Sequence, residues 1–303
     1  MYNLGYAKLI GGILLFLLPI FLWSAPPRYE SSLIEGRLEA IQSAIDIRYT
    51  KRVKVNIQQW VERDFRALER IIGRSTIYFP IFQSYFDRYQ IPVEFQYLAA
   101  FESSLNPSTY SLEDRSGLWQ LSEEVSKRYG LTLTAAVDER MDIHKASNAA
   151  SQYLRDLFQR YQDWTLVIIA YKFSPSVLDE AIQQAKSRDY WKLRKHLGKA
   201  ARHYIEYLAA FEYSMQYYLM YGLRPSYPDY PLQLTQATKV NQAKTFEQIV
   251  LETGVEASVL VKLNPGFKQN RIPSSEAGYW LTIPIIGRQT LKEMEYLGYL
   301  PTD

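Results

Sequence analysis

PVEFQYLAAFESSLNP, residues 92–107, decides how the rest of the chain is read. Pro92 fits the first turn of a helix, because its missing N–H would have no partner there anyway, and Asn106-Pro107 closes the same segment. The pattern predicts a helix over Val93–Ser104. On it Leu98, Glu102 and Leu105 fall at i, i+4 and i+7, so the carboxylate shares a face with two leucines. A glutamate so placed is partly desolvated, which favours the neutral acid, the form that can donate a proton to a leaving oxygen. The hexapeptide YLAAFE occurs twice, however, at Tyr97–Glu102 and at Tyr207–Glu212. Leu208, Glu212 and Met215 repeat the geometry with no motif behind them. Periodicity alone therefore does not choose between the two glutamates, and most such groups sit at the edge of an apolar stripe and reach water.

Outward from this segment, residues 31–219 read as helix after helix, with apolar residues at three and four spacing, little glycine or proline, and no convincing strand. Further helical patterns cover Asn56–Ile72, Ser122–Tyr129, His144–Tyr161, Trp164–Tyr171 and Ala200–Met220. Composition changes at Gly222–Pro231, where Pro225, Pro228 and Pro231 break any helix and mark a linker. Beyond it the pattern gives a strand near Thr238–Val240, a helix opening at Thr245 and stopped by Gly254, a second helix to Leu263, and an alternating strand at Tyr279–Ile283. The expected order there is β-α-α-β. The fold class is therefore mainly α, a large helical domain followed by a small mixed one. The division is residues 1–27 as signal peptide or anchor, 28–221 as the helical domain, 222–235 as linker, and 236–303 as the small domain with its tail.

A chain of 303 residues is long enough for a catalytic core plus an accessory domain. A formal charge of +3 gives no concentrated basic stripe of the kind nucleic acid requires, and mildly favours an acidic polymer. The 25 tyrosines suit a sugar-lined groove and serve helix packing equally well. With no cysteine, disulfide scaffolds, thiolate metal sites, cysteine nucleophiles and a lipid-modified N-terminal cysteine are all excluded. His144, His196 and His203 show no metal-binding spacing, and no phosphate-cradling glycine loop or serine elbow is present, so no metal or cofactor is expected. Leu9–Trp23 is an uncharged apolar run after Lys8, which reads equally as a secretion signal or a short anchor and exports the body of the protein either way. Nothing in the sequence indicates an oligomeric state.

Glu102-Ser103 is followed by Asn106-Pro107, Ser111, then Gly117-Leu118-Trp119-Gln120, and finally Ala170-Tyr171-Lys172-Phe173-Ser174-Pro175. In this order and spacing the segments resemble the lysozyme-like lytic transglycosylases of the SLT family, in the branch called membrane-bound lytic murein transglycosylase D. That family carries E-S, S-x-x-G-A, G-L-M/W-Q and A-Y-N-A-G-P. The likeness extends over about residues 53–283, with further landmarks at Arg74-Ser75, Tyr78, Ile91-Pro92, Val137–Asp142, Ala201-Arg202-His203-Tyr204-Ile205 and Tyr221-Gly222. Glu212 falls in an ordinary helix of that branch, which resolves the repeat in favour of Glu102. The C-terminal Thr245-Phe246, Leu263-Asn264-Pro265 and Leu281–Pro284 look like a degenerate LysM module, a type that binds N-acetylglucosamine polymers.

The resemblance implies cleavage of peptidoglycan glycan strands between N-acetylmuramic acid and N-acetylglucosamine without water. Glu102 would protonate the bridging oxygen and then take the proton of the C6 hydroxyl that attacks C1, leaving a 1,6-anhydro-muramyl end in the periplasm, with membrane association through the N-terminus. Tyr171 would be the hydroxyl near Glu102, Gln120 would line the sugar site, Ser111 would hold a substrate amide and Trp119 would form part of the groove wall. Each also reads as core or turn chemistry. The chain departs from the family at Lys172 and Ser174, where asparagine and glycine are lost, and at Asp114 and Arg115, where glycine and alanine are lost. A lost glycine shifts the backbone if its position needs positive φ, and Lys172, if turned inward, would hold Glu102 ionised. The alternatives are a weakened or inactive peptidoglycan-binding scaffold on the same fold, and a hydrolase using Asp114 or Glu113 as a second carboxylate.

Overall fold

The structure is a computed structural model that describes residues 30–285. The apolar run at Leu9–Trp23 and the C-terminal tail lie outside the described residues, and no described helix is long and apolar enough to cross a membrane. Among the described residues, ten α-helices precede the linker: α1 (Ser31–Ala40), α2 (Lys51–Gln58), α3 (Phe65–Tyr89), α4 (Phe95–Ser103), α5 (Glu123–Arg128), α6 (Ile143–Tyr161), α7 (Trp164–Phe173), α8 (Pro175–Ala185), α9 (Tyr190–Leu193) and α10 (Lys199–Tyr217). The linker carries a one-turn helix, α11 (Tyr230–Gln233). The small domain runs β1 (Thr235–Val240), β2 (Lys244–Thr245), α12 (Phe246–Thr253), α13 (Ala257–Leu263), β3 (Arg271–Ile272) and β4 (Tyr279–Pro284).

Two expectations for the helical part need correction. The pattern over Asn56–Ile72 is not one helix: α2 gives way to a π-type turn at Gln59–Arg63, and the chain breaks at Asp64, whose carboxylate accepts from the Gln59 side-chain amide at 2.9 Å. The second half instead continues as α3 for 25 residues, through Pro80. Pro80 lacks a donor and would ordinarily end a helix. Phe82 and Phe86, buried at 0% and 1% exposure, extend the apolar face beyond it, and their burial outweighs the local penalty. In the linker, Pro231 does not exclude helix, because it lies in the first turn of α11, where its missing N–H costs nothing.

One large core, fed by every helix from α1 to α10, surrounds α4. Leu98, Ala99 and Ala100 are fully buried there, and the small alanines allow α10 to lie close against α4. The two copies of the hexapeptide thus sit on helices that pack together. Phe82, Phe86 and Trp119 form an aromatic cluster beneath them, with centroid separations of 4.8 Å and 5.9 Å to the Trp119 ring.

The small domain has the expected β-α-α-β order. Its outer strands β1 and β4 pair antiparallel from Thr235 opposite Pro284 to Val240 opposite Tyr279, and β2 and β3 add a two-residue pair unsignalled by periodicity. Thr245 and Gln248 form a reciprocal capping box at the start of α12, and Gly254 ends it with φ +70°. The domain does not close its core alone. Val137, from the loop before α6, is buried among Phe246, Ile249, Leu260 and Phe267. Backbone bonds fix that insertion, from Asp138 N–H to the Gly266 carbonyl at 2.8 Å and from Lys268 N–H to the Ala136 carbonyl at 2.9 Å. A Cβ on Gly266 would lie 2.7 Å from the Asp138 carbonyl oxygen, so the approach requires glycine. The linker is held as closely, since a Cβ on Gly73 of α3 would meet the Ser226 carbonyl oxygen at 1.9 Å.

Glu212, the second hexapeptide glutamate, is fully buried rather than at the edge of its stripe. Its Oε1 accepts from the Gln216 amide at 3.2 Å, and its Oε2 has no hydrogen-bond partner. Burial, reinforced by the Glu94 charge, pushes its carboxyl up from 4.5 to about 8. The folded state therefore holds a proton that the unfolded chain releases at ordinary carboxylate pH. Stability is fully present below about 4.5, declines as pH rises, and levels off above about 8. Glu212→Gln removes this loss, so its melting temperature should exceed that of the parent at pH 9 and lose the advantage at pH 4, as measured by thermal melts across pH.

Candidate active site

Glu102 occupies the last turn of α4. Ser103 ends that helix by donating its hydroxyl to the Ala99 carbonyl at 2.9 Å and accepting from the Leu105 N–H at 3.1 Å. Ser104 and Leu105 then turn left-handed, at φ +53° and +52°, while Arg74 of α3 donates to the Ser104 carbonyl at 3.0 Å. The Glu102 side chain is only 4% exposed. A carboxylate so far from water needs partners. It has two, one on each oxygen: Oε1 accepts from the Tyr204 hydroxyl, and Oε2 receives the Lys172 ammonium at 2.6 Å. Three helices, α4, α7 and α10, thus meet at one side chain.

Tyr171 and Tyr204 are both buried, and both hydroxyls are pushed well above the usual phenol range by desolvation and by the negative charge of Glu102, whereas Arg115 opposes the shift in each. They stay protonated and act as donors. Tyr171, expected near Glu102, feels its charge and donates its hydroxyl to the Trp119 carbonyl at 2.7 Å, which ties α7 to the 117–120 turn. The direct partner is Tyr204. Tyr204 belongs to the landmark Ala201–Ile205, for which the resemblance implies no role. The available signal was the spacing Tyr204, Leu208, Phe211 on α10, which puts a phenol on a buried face where its hydroxyl must find a partner.

The other candidate residues build the floor and rim. Trp119 is 0% exposed and donates its indole N–H to the Ser147 hydroxyl at 3.0 Å, so it belongs to the core and not to an exposed groove wall. Gln120 is also buried, at φ +46°, with its side-chain amide on the carbonyls of Gly117 at 2.9 Å and Thr109 at 3.2 Å. Ser111 closes a tight loop by accepting on its hydroxyl from the N–H groups of Arg115 and Glu113, at 3.1 Å and 3.3 Å. Its hydroxyl is therefore engaged locally.

The motif departures have structural consequences. Asp114 sits at φ +56° and Ser174 at φ +91°, ψ 151°, so both replace glycine where the backbone is left-handed or beyond. Asp114 is held by the Tyr110 hydroxyl and by Arg140, whose guanidinium grips Asp138 at 2.9 Å and 2.8 Å and donates to the Asp114 carbonyl at 2.6 Å. Arg115 donates to the carbonyls of Gln120 at 3.2 Å and Lys172 at 3.1 Å, satisfying an orphan carbonyl in the last turn of α7. An open cavity of about 400 Å³ lies apart from Glu102, between α3, the 105–108 turn and the linker.

Residues 80–194 match the transglycosylase SLT domain family. Over 197 residues the chain is 26% identical to the membrane-bound lytic murein transglycosylase D of Escherichia coli strain K12, covering 62% of this chain and 42% of that protein. The same figures hold for its counterpart in Escherichia coli O6:H1 strain CFT073. A protein of Alteromonas sp. (strain M-1) named for tributyltin chloride resistance is 28% identical over 103 residues, 34% of this chain and 50% of that one. The chain thus spans about half the length of these relatives or less. Tyr204 lies outside the SLT match, within the wider resemblance.

Ser174 generates a prediction independent of activity. Its backbone region is nearly exclusive to glycine, and its weak cap to Val177 N–H at 3.5 Å offsets little of the strain. Ser174→Gly should stabilise the protein by about 1 kcal/mol, read as a rise in the denaturant midpoint at unchanged slope.

Proposed function

We propose that this protein is a lytic transglycosylase that cleaves the β-1,4 bond between N-acetylmuramic acid and N-acetylglucosamine in peptidoglycan and leaves 1,6-anhydro ends. The observation that carries the reading is a lone carboxylate, 4% exposed, at the end of α4, with a hydroxyl donor from α10 fixing one oxygen. A two-carboxylate hydrolase would need a second acid facing it across the sugar. Asp114 is engaged with Tyr110 and Arg140, and the Glu113 side chain is 74% exposed beside Arg115. Glu102 is the acidic group whose charge acts on both Tyr171 and Tyr204.

In this mechanism Glu102 gives its proton to the bridging oxygen as the C1–O bond breaks. The ionised carboxylate then receives the proton of the C6 hydroxyl as that oxygen bonds to C1, and the glutamic acid is regenerated. Tyr204 holds the carboxyl in one orientation throughout, donating to the oxygen that is not transferring. Lys172 must leave Oε2 for that oxygen to reach the glycan, because the ammonium stands on it at 2.6 Å. The resemblance and the relatives favour export to the periplasm, with membrane association through the N-terminus and a C-terminal domain that retains glycan strands. The Lys172 contact also favours a second reading, a glycan-binding scaffold of weak or no turnover.

Purified protein on sacculi should release anhydro-muropeptides, identified by mass. Glu102→Gln should lower release roughly a thousandfold, and Glu212→Gln should leave it intact. Tyr204→Phe should lower kcat about tenfold with KM nearly unchanged, since it loosens the acid without touching sugar. Hydrolysed reducing ends would refute the reaction type, and binding without product would favour the scaffold.

A further inference from the structure

One cation stands on the Glu102 carboxylate, and a second is bonded to the backbone of the first. Lys172 is 24% exposed at its side chain and lies on Glu102 Oε2 at 2.6 Å, covering the approach to a group that is itself 4% exposed. Arg115, 17% exposed, is joined to the same stretch of backbone through the Lys172 carbonyl at 3.1 Å, and its charge reaches both Tyr171 and Tyr204. Its own acidic neighbour, Glu113, stands 3.6 Å away and is mostly in solvent. Lys172 is thus paired with the enclosed Glu102, and Arg115 with the exposed Glu113. The two residues occupy positions where the resembling family has asparagine and alanine, so both departures add positive charge at one place.

We propose that Lys172 is a specificity-determining residue that selects glycan strands carrying a carboxylate within a lysine's reach of the scissile bond. This rests on the transglycosylase reading above. With a neutral glycan bound, the ammonium stays on Glu102 Oε2 at 2.6 Å and occupies the oxygen that must face the scissile bond. A carboxylate on the strand competes for the ammonium and draws it off Oε2. Glu102 Oε2, released from the ammonium, is then free to face the bridging oxygen of the strand. Tyr204 keeps its hydrogen bond throughout. Two chemical sources of that carboxylate exist on a muramyl strand: the lactyl group once its peptide is removed, and the acidic residues of a retained stem peptide. Removal of the stem requires an amide hydrolase acting before this enzyme, whereas use of stem carboxylates does not.

The full chain and its Lys172→Asn and Lys172→Gln variants are compared on three probes: stem-free muramyl strands with free lactyl carboxylates, intact sacculi, and the neutral N-acetylglucosamine hexamer. Thermal melts verify folding, and either folded variant serves. The parent should favour at least one carboxylated probe over the neutral hexamer by about tenfold, and the variants should lose that preference by gaining on the hexamer. Whichever carboxylated probe leads identifies the source. An unchanged preference in the variants overturns the lysine's role while leaving transglycosylation in place. If no probe is turned over, the transglycosylase reading fails separately, and retention of the probes on immobilised protein decides: equal retention of carboxylated and neutral strands by the parent overturns the proposal, and a preference lost in the variants supports carboxylate selection by Lys172.

Discussion

A carboxylate removed from water must be compensated by the groups around it, and in this protein that requirement falls on Glu102. Leu98 on α4 and Leu105 just beyond its C-terminal end are fully buried and offer the group no polar partner. Its hydrogen bonds come instead from α10 and α7. The packing of α4, α7 and α10 is thereby fixed to one side chain, and the 117–120 turn is fixed to α7 in turn by the Tyr171 hydroxyl. Removing either donor leaves an underpaired charge in the core, which is more costly than the bond itself is favourable.

The helical periodicity was easy to read wherever apolar spacing and caps agreed. Thr245 and Gly254 bounded α12 because each supplies its own local chemistry, a hydroxyl for an orphan N–H and a left-handed stop. Tertiary burial was the harder matter. Nothing local announces that Phe82 and Phe86 carry α3 through Pro80, or that Val137 fills the core of a domain more than a hundred residues downstream.

The site was legible in its order of motifs and less so in its contacts. Glu102 stood out because ordered segments surround it, whereas its twin Glu212 has the same spacing and even less exposure. Tyr171 and Trp119 were recognisable as residues of the region, yet a phenol and an indole each choose among several acceptors that only the fold brings near. Tyr171 takes a backbone carbonyl and Tyr204 takes the acid. Left-handed backbone at Asp114 and Ser174 is the opposite case: the positions of the missing glycines pointed to strain, and the dihedral angles carry it.

The insertion of Val137 into the C-terminal domain makes that domain mechanically part of the site. A load on the small domain passes from Phe267 to Val137, then through Asp138 and the Arg140 guanidinium to the backbone of the 110–116 loop. The path contains a strand bridge, a buried ion pair and a hydrogen bond, with no flexible linker in series. A displacement of the small domain would therefore register at the 110–116 loop, which gives a small appended domain the character of a strain gauge and not of a loose tether.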